Sequence, residues 1–123
     1  NFKSILKDNS SGVFNGRVIV HAGAQKTDSS QSNKNLLLSK DAIMNSNPQL
    51  EIYADDVKCS HGSSTGALES DALFYIRSRG IDQEAATALL VHGFASEIIE
   101  GIKNHDIKDL VITYFNTWLE QKN

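Results

Sequence analysis

Leu50-Glu51-Ile52-Tyr53-Ala54-Asp55-Asp56-Val57-Lys58-Cys59-Ser60-His61 changes its inward parity near its centre. Leu50, Ile52 and Ala54 share one face by two-residue alternation, and after Asp55-Asp56 the inward set becomes Val57, Cys59 and His61. A parity break at a two-residue polar corner is what a strand does when it turns and continues around a coil. Other short apolar runs precede it: Phe2–Leu6, Val13-Phe14, Val18–Val20, Leu36–Leu38 and Ala42–Met44. Asp8-Asn9-Ser10-Ser11-Gly12, Asn15-Gly16 and Asn45-Ser46-Asn47-Pro48 between them carry residues that accept turn backbone. The pattern predicts a β-solenoid over residues 1–67, with an antiparallel sandwich as the alternative, since Asn15-Gly16 could close a hairpin.

From Glu69 the apolar period becomes helical, which predicts a helical bundle over residues 68–123. Ser70 is expected to cap a short helix running to Arg79, ended by Gly80 in a left-handed conformation with Ile81 packing back on it. Asp82 is expected to cap a second helix whose face carries Ala85, Leu89, Phe94, Ile98 and Ile102. After a break over 101–106, a third helix brings Ile107, Leu110, Val111, Tyr114 and Trp118 to spacings of three and four. Strands first and helices after read as one β unit with an appended helical one.

Composition narrows the function classes. With 40% hydrophobic and 22% charged residues, the 123-residue chain has the balance of a soluble globular protein. A net charge of −3 and scattered lysines and arginines give no basic stripe for nucleic acid. No apolar run approaches the roughly 20 residues that span a bilayer. One cysteine excludes an internal disulfide and fits a reducing compartment, the cytoplasm. The chain opens at Asn1 rather than at a methionine and is expected to be part of something longer.

Cys59 and His61 are the leading candidates for chemistry. At i and i+2 on a strand they share a face, so thiolate and imidazole could hold one metal ion, and both are good iron ligands. Two ligands do not close a site, because iron–sulfur clusters commonly take four protein ligands. Equally, a lone cysteine can serve as a small apolar residue, with His61 bonded at a coil edge. Asp55-Asp56 could form a carboxylate pair for calcium or for a sugar-cleaving solenoid enzyme, against the plainer reading of a solvated corner. His21, His92 and His105 occupy unrelated contexts as surface or packing histidines. Ser63-Ser64-Thr65-Gly66 lacks a nucleophile elbow, and Gly12–Gly16 lacks the ending of a phosphate loop. Leu110, Tyr114 and Trp118 form either local core or a docking face.

Several segments carry a resemblance. They are Phe14-Asn15-Gly16-Arg17-Val18-Ile19-Val20, Ala24-Gln25-Lys26-Thr27-Asp28, Gln31–Ser39, Pro48–Gly62 and Leu73–Ile81. Together they resemble the SufB/SufD family of iron–sulfur cluster assembly subunits across essentially the whole chain. Lys58-Cys59-Ser60-His61 is similar to the SufD form, since SufB chains usually carry Glu-His-Glu at Ser60-His61-Gly62. Ser63-Ser64-Thr65-Gly66-Ala67 departs from the more usual Ala-Thr-Val-Gly run.

That resemblance implies the C-terminal portion of a SufD-like chain: a right-handed parallel β-helix followed by a helical bundle. It implies a non-enzymatic scaffold that pairs edge to edge with SufB through its last coils and docks the ATPase SufC through its helices. A transient iron–sulfur cluster would form at the SufB interface, with His61 as a ligand beside a SufB cysteine and Cys59 close by. The interface residues so implied are Val57, Lys58, Cys59, His61, Leu110, Tyr114 and Trp118. A homodimer through the last coils, and a purely structural module without metal ligation, are the rival expectations.

Overall fold

The computed structural model describes residues 1–121, which form five strands followed by three helices. Two compact units result, Asn1–Ala67 and the helical segment from Leu68 onward.

In the first unit, β1 (Phe2–Leu6), β3 (Asp28–Leu37) and β5 (Lys58–Ala67) form a three-stranded sheet in the order β1-β3-β5. The second sheet holds β2 (Ser11–Val20) and β4 (Ile43–Ile52). Every pairing is parallel, so the chain changes sheets at each corner and returns beside itself after another strand. The return length shows in Ser30 and Ser60, which lie 30 residues apart and bond through their hydroxyls.

This arrangement corrects the expected right-handed parallel β-helix. Among the described residues the strands make two small parallel sheets, open at their edges, and no closed coil forms. With the helices, the architecture is an α/β fold. The physical reason is strand length. Four of the five strands run for 10 residues, so two strands and their corners use up each return. Asn15-Gly16 and Asn45–Pro48, expected as corners, instead lie inside β2 and β4. A two-stranded sheet leaves one side of β4 unpaired, where a proline without an N–H is tolerated.

The corners that do form are tied across successive returns. Lys26, at φ 67°, donates its backbone N–H to the Asp56 carbonyl at 2.7 Å. Gln25 Oε1 accepts from the Asp56 N–H at 2.9 Å, and Lys26 Nζ pairs with the Asp56 carboxylate. Asp56 is therefore a corner fastening, not half of a free carboxylate pair.

The interior between the sheets is half polar. The first unit buries Leu6, Val20, Leu36, Ala42 and Ala54, and also Gln31, Asn33 and Asn35 of β3. Asn33 Oδ1 accepts from Asn35 Nδ2 at 2.7 Å, from Ser46 Oγ at 2.6 Å and from Ser63 Oγ at 3.4 Å. Ser63 Oγ also reaches Ser46 Oγ at 2.7 Å, which ties β5 to β4 across the gap. Gly16 faces the same interior. A Cβ there would lie 2.6 Å from Phe14 Cζ and would strike the Gln31 carboxamide.

The second unit contains α1 (Ser70–Arg77), α2 (Gln83–Ile99) and α3 (His105–Glu120). Ser70 is the first helical residue rather than the cap, and Glu69 precedes it without a side-chain capping bond. Gly80 takes φ 86° as expected, whereas Ile81 stays 38% exposed. Asp82 Oδ1 accepts from the Ala85 N–H at 2.9 Å, the anticipated cap. Asn104 caps α3 in the same way through the Ile107 N–H. The buried residues of α2 are Ala86 and Val91, while Ala85, Leu89 and Ile98 of the expected face are exposed.

Three outcomes test this packing. Gly16→Ala should lose about 1–3 kcal/mol in urea unfolding through overpacking. Gly66→Ala, where a Cβ meets nothing within 4 Å, should change stability by under about 0.5 kcal/mol. Asn33→Ala should cost about 1–3 kcal/mol, because it strips the shared acceptor from Asn35, Ser46 and Ser63.

Candidate functional site

β5 is an edge strand, hydrogen-bonded to β3 on one side only. Its pairing begins at the corner, where the Lys58 N–H donates to the Thr27 carbonyl at 2.9 Å. Among the described residues no strand lies beside its other side, which presents a row of backbone donors and acceptors, a ready template for another chain.

The side chains of β5 follow two-residue alternation, and the hydrogen bonds settle which face is which. Ser63 and Thr65 point into the interior, since they bond to Asn33 Oδ1 and Asn35 Nδ2. Cys59 and His61 share their parity and therefore their face. Ser60 lies on the opposite face, bonded to Ser30, and Lys58 shares that parity.

Along the strand Cys59 and His61 are about 6.6 Å apart at two residue rises. Cys59 is a free thiol, half-buried beside Ser29, and His61 is exposed beside Gln31. Among the described residues no cluster of three or more His, Cys, Asp or Glu side chains could hold a metal. Chemically, a thiolate is a soft donor and an imidazole a borderline one.

Val57 is half-buried in the preceding corner and Lys58 is exposed. His21, beside the corner before β3, is exposed, and His105 opens α3. His92 packs edge-on against Phe115 at 5.0 Å, so its ring is engaged in the helical unit. None of these three joins Cys59 and His61 in a metal-holding cluster.

On α3, Ile107, Leu110 and Tyr114 are exposed at 53%, 54% and 70%. They lie at spacings of three and four and so form one outward apolar stripe. Trp118 differs: it is half-buried and stacked on Phe115 at 6.1 Å. The three residues singled out on this helix thus divide into two exposed groups and one packed ring. No helix among the described residues is long and apolar enough to cross a membrane.

Gln31, Asn33 and Asn35 were not anticipated from sequence as residues beside the site. Their position follows from the parallel register of β3 with β5, which pairs Gln31 with His61, Asn33 with Ser63 and Asn35 with Thr65. The signal present in the sequence is the alternation of these three with Ser32 and Lys34.

Comparison with known proteins places this geometry in context. The family model for the SufBD core domain of SUF-system FeS cluster assembly matches residues 1–94. The iron-sulfur cluster assembly protein SufD of Escherichia coli is 44% identical over 110 residues, which is 89% of this chain and 26% of that protein. An iron-sulfur cluster assembly SufBD family protein of Synechocystis is 46% identical over 100 residues, 81% of this chain and 22% of the relative. The chloroplastic protein ABCI7 of Arabidopsis thaliana is 48% identical over 97 residues, 79% and 20% of the two chains. This chain thus spans about a quarter of the length of the curated relatives it matches.

Proposed function

Because the chain belongs to the SufBD family of iron–sulfur cluster assembly proteins, we propose that it is a non-enzymatic scaffold contributing half of a cluster-forming site. The observation that carries this reading is the placement of Cys59 and His61 on one face of an unpaired edge strand. Thiolate and imidazole there supply two ligands, and a partner chain laid along β5 supplies the rest. The nascent cluster is cargo: it assembles across the interface and leaves for a recipient protein.

His61 is the first ligand in this account and Cys59 the second. His61 is exposed and its imidazole can turn toward a partner, whereas Cys59 is half-buried. Val57 precedes the strand and Lys58 begins it, at the corner where the partner would arrive. A SufB homologue fits as that partner because β5 offers backbone pairing together with an incomplete metal site. The same edge would also accept a second copy of this chain. A thiolate ligand needs a reducing compartment, and the cytoplasm meets that need.

The helical unit has a separate role in this proposal. Leu110 and Tyr114, with Ile107, give an apolar stripe suited to docking an ATPase of the SufC kind, and Trp118 extends that face one turn further, with its ring stacked on Phe115. Movement driven by that ATPase would then open or close the edge at β5.

Two measurements address the proposal. In an anaerobic iron titration of the complex with a SufB homologue, His61→Ala should weaken iron retention by more than about tenfold, since even outer-shell partners cost that much. Unchanged retention would remove His61 from the ligand set. Leu110→Asp combined with Tyr114→Asp should abolish co-purification with the SufC homologue while leaving unfolding of the β unit unchanged. Retained SufC binding would move the docking surface elsewhere.

A further inference from the structure

Three in-register side-chain pairs between β3 and β5 are joined by hydrogen bonds. Asn33 bonds Ser63 and Asn35 bonds Thr65 on the interior face, and Ser30 bonds Ser60 on the outer face. The interior row then reaches Gln31 and His61, and there it breaks. Gln31 is only 9% exposed, yet among the described residues its buried Oε1 finds no hydrogen-bond partner. A buried carboxamide oxygen left unpaired is costly, on the scale of a lost hydrogen bond. His61 stands next to it in register, shares its face, and carries a ring N–H that can donate.

We propose that Gln31 is a positioning residue for His61: its Oε1 accepts a hydrogen bond from one imidazole nitrogen and thereby leaves the other free to bind metal. Neighbouring strands lie about 4.8 Å apart, so a glutamine reaches the ring of its register partner with a staggered rotamer change of the exposed histidine. The carboxamide is itself held in place. It fills the space that Gly16 leaves by having no side chain, between the two sheets. The chain of contact therefore runs from β2 through Gln31 to the site on β5. Metal-binding histidines usually donate their second ring nitrogen to such an acceptor, which fixes tautomer and ring orientation. Here the acceptor is in place before any metal arrives. The inference deepens the reading of His61 as a ligand and rests on it only for its purpose, since the hydrogen bond itself forms without metal.

The test is the tautomer ratio of His61 in the metal-free intact protein. It is read from ring nitrogen chemical shifts after histidine labelling, at about pH 8, where an ordinary imidazole is neutral. The His61 signals are assigned by their loss in His61→Ala. One tautomer should dominate at His61, while exposed His21 in the same spectrum serves as the reference. Gln31→Leu should shift the His61 ratio about fivefold toward that reference, the effect of one ordinary hydrogen bond. Gln31→Glu, which keeps an acceptor, should retain the bias. If Gln31→Leu does not fold, the wild-type spectrum decides: a His61 ratio equal to that of His21 overturns the proposal. An unchanged ratio in folded Gln31→Leu overturns it as well. Iron retention that survives His61→Ala would count against the ligand reading alone and leave this outcome standing.

Discussion

The pairing of β3 with both β1 and β5 in parallel register is the constraint from which the rest of the β unit follows. Because the strands are parallel, the chain must leave the sheet and come back, and it makes that journey through the opposite sheet. Each return sets like positions beside one another, so the corners at Lys26 and Asp56 can be fastened together. The same register stacks Asn33 on Ser63 and Asn35 on Thr65. A slip of one residue would turn these amides out to solvent and bring Lys34 inward. The network around Asn33 thus specifies register in an interior where apolar side chains are few and small.

That register also explains why Cys59 and His61 lie uncovered. β5 is the last strand of its sheet, and beyond it no strand continues the row among the described residues. Cys59 and His61 inherit an inward direction from the alternation. They lack the cover that an inward residue normally finds, however, because the opposite sheet has one strand fewer. An edge with free backbone groups is unfinished as a sheet, and under the proposed function its thiol and imidazole are an unfinished ligand set. A single partner strand bearing further ligands would complete both.

How much of this was legible in the sequence depended on the length scale of each signal. Several local signals were sound, since Asp82 caps α2, Gly80 takes the left-handed conformation and Asp55-Asp56 is a corner, whereas Ser70 does not cap α1 and Ile81 stays exposed. The shared face of Cys59 and His61 follows from two-residue alternation, and Ser63 and Thr65 now fix its direction. What failed was the architecture. Asn15-Gly16 and Asn45–Pro48 have turn chemistry, yet pairing with a neighbouring strand holds them extended, which made the strands twice as long as the apolar runs implied. With strands of that length the chain builds two open sheets rather than a closed coil. Gln31 was invisible as a neighbour of His61 because parallel register over 30 residues leaves no mark in local pattern. On α2 the helical period was right, but the phase was not. Small apolar residues lie nearly all round the helix, so the pattern alone could not choose Ala86 and Val91 over Ala85 and Leu89.

The central claim is that β5 is an edge awaiting a partner strand. Amide hydrogen exchange along β5, with and without a SufB homologue bound, tests it most directly. The alternate amides of 58–67 that face away from β3 should slow by about tenfold or more in the complex, while those of β1 stay unchanged. A complex that forms with no added protection in β5 would contradict the account.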